Sequence, residues 1–264
     1  MLIIGAGAAG SAAAFHLASA GQRVTLLEQA DQNRIKPCGG GMAAAVQEWF
    51  PFDLQEVVDE VIERVEFSWC LGDPVVAELQ GSAPFWIVRR EELDELLTSK
   101  AVEAGADIIR PFAVSTINKH AGHWQVTAED GRQLESRAVV LANGSNSPWP
   151  AAFGLGPQAL HHAATTSVRL EGRGKLAKGT ARFEFGLVHH GFAWAFPIAN
   201  GVNVGVGTFI GRHAADSDAI LEQLLPNLGF DPRAGQRQQA PLRVWNGNQK
   251  LHGEGILAIG DAAS

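Results

Sequence analysis

The chain opens on Met1-Leu2-Ile3-Ile4-Gly5-Ala6-Gly7-Ala8-Ala9-Gly10, a short apolar run followed by glycines in Gly-x-Gly-x-x-Gly spacing. The apolar run predicts a buried strand, and the alanine-rich residues 11–20 predict a helix. Residues 24–28 form another apolar run, which predicts a second strand. Strand, glycine turn, helix and strand in this order form the unit in which a helix N-terminus holds a pyrophosphate. The sequence therefore predicts a dinucleotide site.

Each key position of this unit has its own expected role. Gly5 permits the tight turn, Gly7 lets the backbone approach the phosphates, and Gly10 allows the helix to pack on the strand. Ala9, inside the same motif, is a further candidate contact to the cofactor. Glu28 ends the second strand, where a carboxylate accepts hydrogen bonds from the ribose hydroxyls of adenosine.

A second element begins at Arg90-Glu91-Glu92-Leu93-Asp94, which opens an amphipathic stretch predicting a long helix that ends at Gly105. Arg-x-x-Leu-Asp before such a helix resembles a signature of FAD-dependent monooxygenases and their relatives, in which the arginine contacts the flavin cofactor. Arg89 is a neighbouring candidate, but the register of the signature selects Arg90. The alternative for an arginine in a first helical turn is a solvated charge.

Two further stretches resemble FAD-binding parts of the same superfamily. Residues 138–144 predict a strand running into a glycine turn, with Asn143 where aspartate is commoner. Residues 255–263 resemble the strand and Gly-Asp pair that bind the ribityl and pyrophosphate groups, and they supply Gly260 and Asp261. In this superfamily the aspartate accepts a hydrogen bond from a sugar-alcohol hydroxyl. The helix after it directs its N-terminal dipole at the flavin ring. Together with the N-terminal motif, they predict FAD as the cofactor.

Two other stretches are distinctive. In the loop Lys36-Pro37-Cys38-Gly39-Gly40-Gly41, three glycines let the backbone pass very close to a flat group. Further on, alternation along a predicted strand places Phe192, Trp194 and Phe196 on one face. Pro197 is expected to end that strand. The aromatic face predicts either the wall of a large apolar pocket or the ordinary hydrophobic core of a sheet.

The glycine loop and the aromatic strand together resemble the geranylgeranyl reductase family, and the resemblance covers essentially the whole chain. In that family the FAD ring lies near the cysteine-glycine loop, and reduced flavin delivers hydride to isolated isoprenoid double bonds. The resemblance implies that Gly39 and Gly41 contact the cofactor and that Cys38 contacts and tunes the flavin or relays a proton. Trp194 and Phe196 are expected to stabilise positive charge on the alkene carbon. Cys38 could equally be a small buried residue.

The chain departs from the family pattern at three points. Ile198 replaces the family lysine, Asn143 replaces the commoner aspartate, and the chain contains no tyrosine. The resemblance implies an apolar, isoprenoid-type substrate, which would favour peripheral contact with a membrane.

The electron donor has no domain of its own in the predicted organisation. The sequence contains no redox cysteine pair. It also contains no second nucleotide motif, because Gly205, Gly207 and Gly211 have the wrong spacing for one. NAD(P)H or another reductant is therefore expected to act as a transient donor.

Composition sets the broad class. The 264 residues are 46% hydrophobic and 19% charged, a balance typical of globular proteins. The net charge of -7 argues against a nucleic-acid partner, which would favour a basic face. Cys38 and Cys70 lie far apart in the sequence, so neither a disulfide framework nor a zinc site is predicted, and a cytoplasmic location is expected.

The histidines suggest no metal site. Adjacent residues of a strand point to opposite faces, so neither His161-His162 nor His189-His190 is expected to chelate one ion. His120 and His123 flank a predicted turn and are expected at the surface.

The predicted architecture is an α/β fold, in which a Rossmann-like FAD-binding domain is interleaved with a β-rich substrate domain. A hairpin is predicted over residues 113–129, with Ala113 at its start as a further candidate cofactor contact, and a helix over residues 216–228. The sequence stops at Ser264, directly after the Gly-Asp element, so a C-terminal part is expected to be missing. The predicted boundaries are 1–60, 87–148 and 253–264 for the FAD-binding domain, and 61–86 and 149–252 for the substrate domain.

Three other functions fit the same motifs. A flavin monooxygenase or halogenase would share the FAD elements, although the cysteine-glycine loop argues against it. A flavoprotein that uses reduced FAD without net redox, as in carotenoid cyclases, is a second alternative. The third is a truncated piece that no longer retains flavin.

Overall fold

The computed structural model describes residues 1–31, 36–81, 85–156, 162–208, 216–244 and 247–263. The chain divides into two compact units. The first unit comprises Met1–Ile35, Leu93–His161 and Arg243–Ser264, and the second unit comprises Lys36–Glu92 and His162–Leu242. The predicted assignment of an FAD-binding and a substrate domain to the chain stays a prediction.

Strands are the commonest kind of element among the described residues. In chain order the strands are β1 (Leu2–Ile4), β2 (Thr25–Leu27), β3 (Gly41–Ala43), β4 (Val58–Ile62), β5 (Arg64–Trp69), β6 (Gly72–Glu78), β7 (Phe85–Val88), β8 (Asp107–Ile109), β9 (Val114–His120), β10 (His123–Ala128), β11 (Gln133–Ser136), β12 (Val139–Leu141), β13 (His162–Glu171), β14 (Thr180–Phe185), β15 (Gly191–Ile198), β16 (Gly201–Thr208), β17 (Gln238–Arg243), β18 (His252–Gly253) and β19 (Ile256–Ala258). The α-helices are α1 (Ala8–Ser19), α2 (Arg90–Glu103), α3 (Trp149–Ala152) and α4 (Ser217–Asn227). Three 3₁₀ turns cover Ala44–Trp49, Gln55–Val57 and Gly260–Ala262.

The first unit is built on a six-stranded sheet in the order β18-β19-β12-β1-β2-β8. All of its neighbouring strands pair in parallel except β18, which pairs antiparallel with β19 at the edge. The strands β1 and β12 are buried at every residue, as expected when a parallel sheet is covered on both faces. The hairpin of β9 and β10, extended by β11, packs Trp124 and Val126 into the same core.

The second unit contains a seven-stranded sheet in the order β17-β13-β16-β15-β14-β5-β6 and a smaller sheet of β3, β7 and β4. One face of the large sheet carries Ala193 and Ala195, which pack in a cluster that includes the α4 residues Leu221 and Leu224. The opposite face carries Trp194 and Phe196 in a separate cluster. The residues of β15 therefore alternate between two cores.

The predicted elements are confirmed in most places. The α/β fold, the strand-helix-strand opening, the helix from Arg90, the hairpin over residues 113–129 and the helix over residues 216–228 are all present. His120 and His123 are exposed beside the turn at Ala121 and Gly122, as predicted. His161 and Gly211 lie outside the described residues.

Two local predictions are wrong. Pro197 does not end its strand, because β15 continues to Ile198 and Pro197 pairs with Val202 of β16. On its other side β14 pairs only with residues 193–195, so the missing N–H of the proline removes no ladder bond there. His189 and His190 lie in a turn rather than a strand, with ring centroids 4.0 Å apart, so strand alternation does not separate them.

Within the described residues, no three His, Cys, Asp or Glu side chains come together as metal ligands would. No helix in the described part of the chain has both the length and the hydropathy needed to cross a bilayer.

Candidate functional site

The glycine turn between β1 and α1 is closely packed. Gly5 has a φ of 104°, a left-handed conformation that favours glycine, and a Cβ atom there would lie 2.5 Å from the carbonyl oxygen of Ala142. A Cβ atom on Gly10 would collide with the carbonyl oxygen of Gly5. The tight turn and the close approach of the helix expected from the sequence are both present.

The N-terminus of α1 is open. Gly7 is the N-cap, the helix has no side-chain cap, and no acidic residue lies in its first turn. A Cβ atom on Gly7 would meet only Asp94 Oδ2, at 3.9 Å. The first N–H groups of a helix have no partner within the helix, so those of Ala8, Ala9 and Gly10 are suited to bind an anion.

The Gly-Asp element meets this helix end. Gly260 has a φ of 58°, and a Cβ atom on it would lie 2.6 Å from the Cβ atom of Ala9. Asp261 is the next residue, exposed in the 3₁₀ turn that follows β19. The fold therefore brings together the two motifs that stand at opposite ends of the sequence.

The carboxylate of Glu28 faces the same turn. Glu28 is 9% exposed, its Oε2 accepts a hydrogen bond from Ala6 N–H at 2.8 Å, and its Oε1 accepts one from Ala30 N–H at 3.0 Å. A carboxylate oxygen can accept more than one hydrogen bond. The side chain is thus held in place while it keeps the capacity to bind hydroxyls.

A pocket with a volume of about 60 Å³ lies beside Glu28 in the first unit. It is lined by Ile4, Gly5, Leu27, Glu28, Gln29, Phe112, Val114, Asn143 and Trp149. The Oδ1 atom of Asn143 is buried and has no hydrogen-bond partner among the described residues. Ala113 does not line this pocket, although both of its neighbours do, and its carbonyl accepts from Glu129 N–H at 2.8 Å.

Arg243 connects the loop that follows β12 with the 3₁₀ turn that follows β19. Its guanidinium donates to the carbonyl oxygens of Ala262 at 2.6 Å, Ser145 at 2.9 Å and Ser147 at 3.0 Å. Burial lowers the pKa of Arg243, and the charge of Asp261 opposes that shift. Arg243 was not predicted from the sequence, because a single arginine among Pro241, Leu242 and Val244 carries no motif.

Arg89 and Arg90 are adjacent at the start of α2, but their positions differ. Arg89 Nε donates to Asp59 Oδ2 at 2.9 Å, and its Nη2 lies 2.5 Å from Glu92 Oε1. Burial alone would lower the pKa of Arg89, but the hydrogen bond and charge of Asp59 raise it overall. Arg90, half-buried, is the first residue of α2, and its flavin contact stays a prediction.

The cysteine-glycine loop in the second unit packs directly on aromatic rings. A Cβ atom on Gly39 would lie 3.0 Å from Phe196 Cε2 and from Trp194 Nε1, and one on Gly41 would lie 2.7 Å from Phe85 Cζ. The flat groups against these glycines are therefore aromatic side chains of the same unit. Cys38 is half-exposed, and its Sγ accepts from Gly40 N–H at 3.4 Å.

The expected aromatic face of β15 is confirmed. Trp194 and Phe196 are 6% and 5% exposed, and Phe192 is half-buried. The ring of Phe183 on β14 lies 5.1 Å from that of Phe196 and 5.4 Å from that of Phe192. Phe67, 42% exposed, extends this row with its ring 5.8 Å from Phe183. Trp194 and Phe196 belong to a packed core cluster, and their catalytic role stays a prediction.

Comparison with known proteins identifies the family. A family model described as lycopene cyclase protein matches residues 1–171, which is more than half of the chain. The chain belongs to this family.

Its relatives include named reductases. Digeranylgeranylglycerophospholipid reductase 1 of Methanopyrus kandleri is 29% identical over 280 residues, covering 100% of this chain and 73% of that protein. Menaquinone reductase of Mycobacterium tuberculosis is 28% identical over 289 residues, covering 100% of this chain and 70% of that protein. The crystal structure of a geranylgeranyl bacteriochlorophyll reductase-like protein of Thermoplasma acidophilum matches with a TM-score of 0.84 at 19% identity, over 99% of this chain and 70% of that chain. The predicted membership of the FAD-dependent, geranylgeranyl reductase-like oxidoreductases is confirmed.

Proposed function

We propose that this FAD-dependent oxidoreductase reduces an isoprenoid-type carbon–carbon double bond. The contact between Ala9 and Gly260 supports FAD as the cofactor, because it joins the two motifs and NAD-only dehydrogenases lack the second of them. The names of two relatives, a digeranylgeranylglycerophospholipid reductase and a menaquinone reductase, support reduction of a molecule with an isoprenoid chain.

The residues of the first unit fit an FAD dinucleotide. The N–H groups of Ala8, Ala9 and Gly10 would bind the pyrophosphate, and Glu28 would accept ribose hydroxyls. The buried, unpartnered Oδ1 of Asn143 offers a further acceptor in the adjoining pocket, within the part of the chain that the structure describes. Gly5, Gly7, Ala113 and Asp261 of this unit, and Arg90 of the second unit, are proposed cofactor contacts carried over from the sequence. Reduced FAD, when bound, would supply hydride.

The residues of the second unit are proposed to complete the reaction. An alkene that gains hydride at one carbon must gain a proton at the other, and we assign the relay of that proton to Cys38. Trp194 and Phe196 would stabilise positive charge at the protonated alkene through their ring faces. Both rings also support Gly39, so they hold the Cys38 loop in place. Gly39 and Gly41 are proposed to lie against the cofactor, as in the family.

The electron donor and cellular setting follow from the same chemistry. NAD(P)H or another reductant would reduce the flavin transiently. A cytoplasmic protein that acts on an isoprenoid chain would make peripheral contact with a membrane. Neither a nucleic acid nor a metal ion has a part in the proposed reaction.

Product analysis tests the reaction class. The chain is incubated without oxygen with FAD, a chemical reductant and a geranylgeranyl lipid. The mass of the product is then measured by mass spectrometry. A product that has gained two hydrogen atoms supports the proposal. A product of unchanged mass favours cyclisation without net redox, the alternative to which the description of the family model points. A product formed only when oxygen is admitted favours a monooxygenase.

A cysteine variant tests the proposed relay. Cys38→Ala is expected to retain FAD but to slow alkene reduction, whereas Cys70→Ala, at the other, exposed cysteine, should leave turnover unchanged. Equal turnover of both variants would remove Cys38 from the reaction.

A further inference from the structure

Asn203 is a buried amide in β16, where the residues from Gly201 to Gly207 are otherwise valines and glycines. It lies on β16 between Val202 and Val204 and is 3% exposed. Its Nδ2 donates to the carbonyl oxygen of Cys38 at 2.7 Å, and its Oδ1 accepts from the indole Nε1–H of Trp194 at 3.3 Å. A side chain from the sheet therefore reaches the backbone of the cysteine-glycine loop.

The two partners of Asn203 require an amide. An indole N–H can only donate and a backbone carbonyl can only accept, so the side chain between them must present an acceptor at one end and a donor at the other. An ionised aspartate would offer acceptors to both partners, and a leucine would offer neither. A buried carbonyl left without its donor costs more than the hydrogen bond contributes when it forms.

Other contacts fix the loop at the two residues that follow Cys38. Val88 N–H donates to the carbonyl of Gly40 at 3.0 Å, and Gly40 N–H donates to Cys38 Sγ at 3.4 Å. The rings of Trp194 and Phe196 limit movement at Gly39. The hydrogen bond from Asn203 adds the missing constraint, because it fixes the peptide group of Cys38 itself.

We infer that Asn203 is a positioning residue, which holds the Cys38 peptide so that the thiol keeps one orientation. The geometry stands by itself, but its consequence for catalysis rests on the proposed function, in which Cys38 relays the proton. Without Asn203 the loop would remain attached through Gly40, while the Cys38 peptide would turn and expose the thiol.

Thiol alkylation tests this inference without flavin or substrate. In a Cys70→Ser background, iodoacetamide reports on Cys38 alone. Asn203→Asp and Asn203→Leu should each raise the alkylation rate about tenfold, which corresponds to about 1.4 kcal/mol. Both Asn203 variants are needed, because an aspartate at residue 203 would lie across from Arg169 on β13 and could form an ion pair with it. A leucine there forms no such pair. Asn118→Asp and Asn118→Leu, at an exposed position of β9, are the matched controls and should leave the rate unchanged.

The inference is overturned if folded Asn203 variants react within about twofold of their controls. If neither Asn203 variant folds, Trp194→Phe tests the inference instead. It keeps an aromatic ring but removes the indole N–H that donates to Asn203 Oδ1. It should raise the rate about threefold, and an unchanged rate would count against the inference.

The alkene assay separates this inference from the proposed function. In a chain that reduces alkenes, Asn203→Leu should lower kcat and leave KM nearly unchanged. A faster alkylation in a chain that reduces no alkene would defeat the proposed function and leave the positioning role standing. Normal alkylation in a chain that does reduce alkenes would defeat the positioning role alone.

Discussion

Gly260 lies so close to Ala9 that a Cβ atom on it would be 2.6 Å from the Cβ of that alanine. The contact places the Gly-Asp turn against the first turn of α1, whose first N–H groups have no partner within the helix. A side chain at residue 260 would push these two elements apart and change the spacing of the proposed FAD contacts.

Gly260→Ala is therefore expected to weaken FAD binding at least about tenfold, a loss of about 1.4 kcal/mol. Gly247→Ala is the control, since Gly247 also has a positive φ, of 85°, but meets nothing within 4 Å. Both variants carry the same kind of backbone strain, so a difference in affinity reports the contact with Ala9. Flavin fluorescence titration measures it, and equal affinities would contradict the assigned role.

Glu28→Gln should reduce both stability and FAD affinity. The amide nitrogen of a glutamine would face the N–H of Ala6 or of Ala30, which leaves a donor without its acceptor. Such a loss costs about 1–3 kcal/mol in the free energy of unfolding. Urea unfolding and FAD titration measure the two effects, with Glu48→Gln at an exposed position as the control. A variant that unfolds like the control would show that the carboxylate is not held as described.

Arg243→Ala should lower the free energy of unfolding by about 3 kcal/mol, because hydrogen bonds to a charged donor are lost at three carbonyl groups. The exposed Arg137→Ala serves as its control. Thermal unfolding checks the expectation. Equal melting temperatures for the two variants would mean that Arg243 does not tie these loops together.

The ion pair of Glu91 and Arg169 predicts a pH dependence of stability. Arg169 donates to both carboxylate oxygens, with Nη2 and Oε2 2.9 Å apart. Burial alone would raise the pKa of Glu91, but the hydrogen bonds and charge of Arg169 outweigh it, so the pKa lies below its ordinary value of 4.5. A carboxyl whose pKa is lowered by folding stabilises the folded state above its unfolded pKa. That stabilisation is lost as the pH falls through the lower, folded value.

Glu91→Gln should therefore flatten the loss of unfolding free energy on acidification from neutral pH to below 4.5. Glu103→Gln is the control, because its pair with Lys100 is on the surface and the glutamate side chain is 63% exposed. Urea titrations at a series of pH values measure both slopes. Parallel slopes for Glu91→Gln and the unsubstituted chain would exclude this pair as a source of acid sensitivity.

Local patterns were enough to predict the first three elements of the first unit, β1, α1 and β2. The glycine spacing at residues 5–10 specifies a turn that small residues fit, and the apolar runs beside it are typical of buried parallel strands. The helix from Arg90 follows equally from its amphipathic pattern and from Gly105 at its end.

The contacts that the sequence did not predict depend on residues far apart in the chain. Asn203 meets Cys38 only because β16 lies beside β15 in the sheet, although a lone amide in an apolar strand was a usable signal. Arg243 carries no such signal. β15 continues past Pro197 because β16 pairs with it as far as Ile198, whereas β14 pairs only with residues 193–195. The sequence of β15 alone does not contain that information.

The most direct test of the central claim is anaerobic reoxidation of the flavin. The chain is loaded with FAD, reduced by light, and mixed with a geranylgeranyl lipid while the absorbance of oxidised flavin is followed. We expect that absorbance to return in proportion to the lipid reduced, with one flavin reoxidised per double bond. Reduced flavin that stays reduced until oxygen is admitted would contradict alkene reduction.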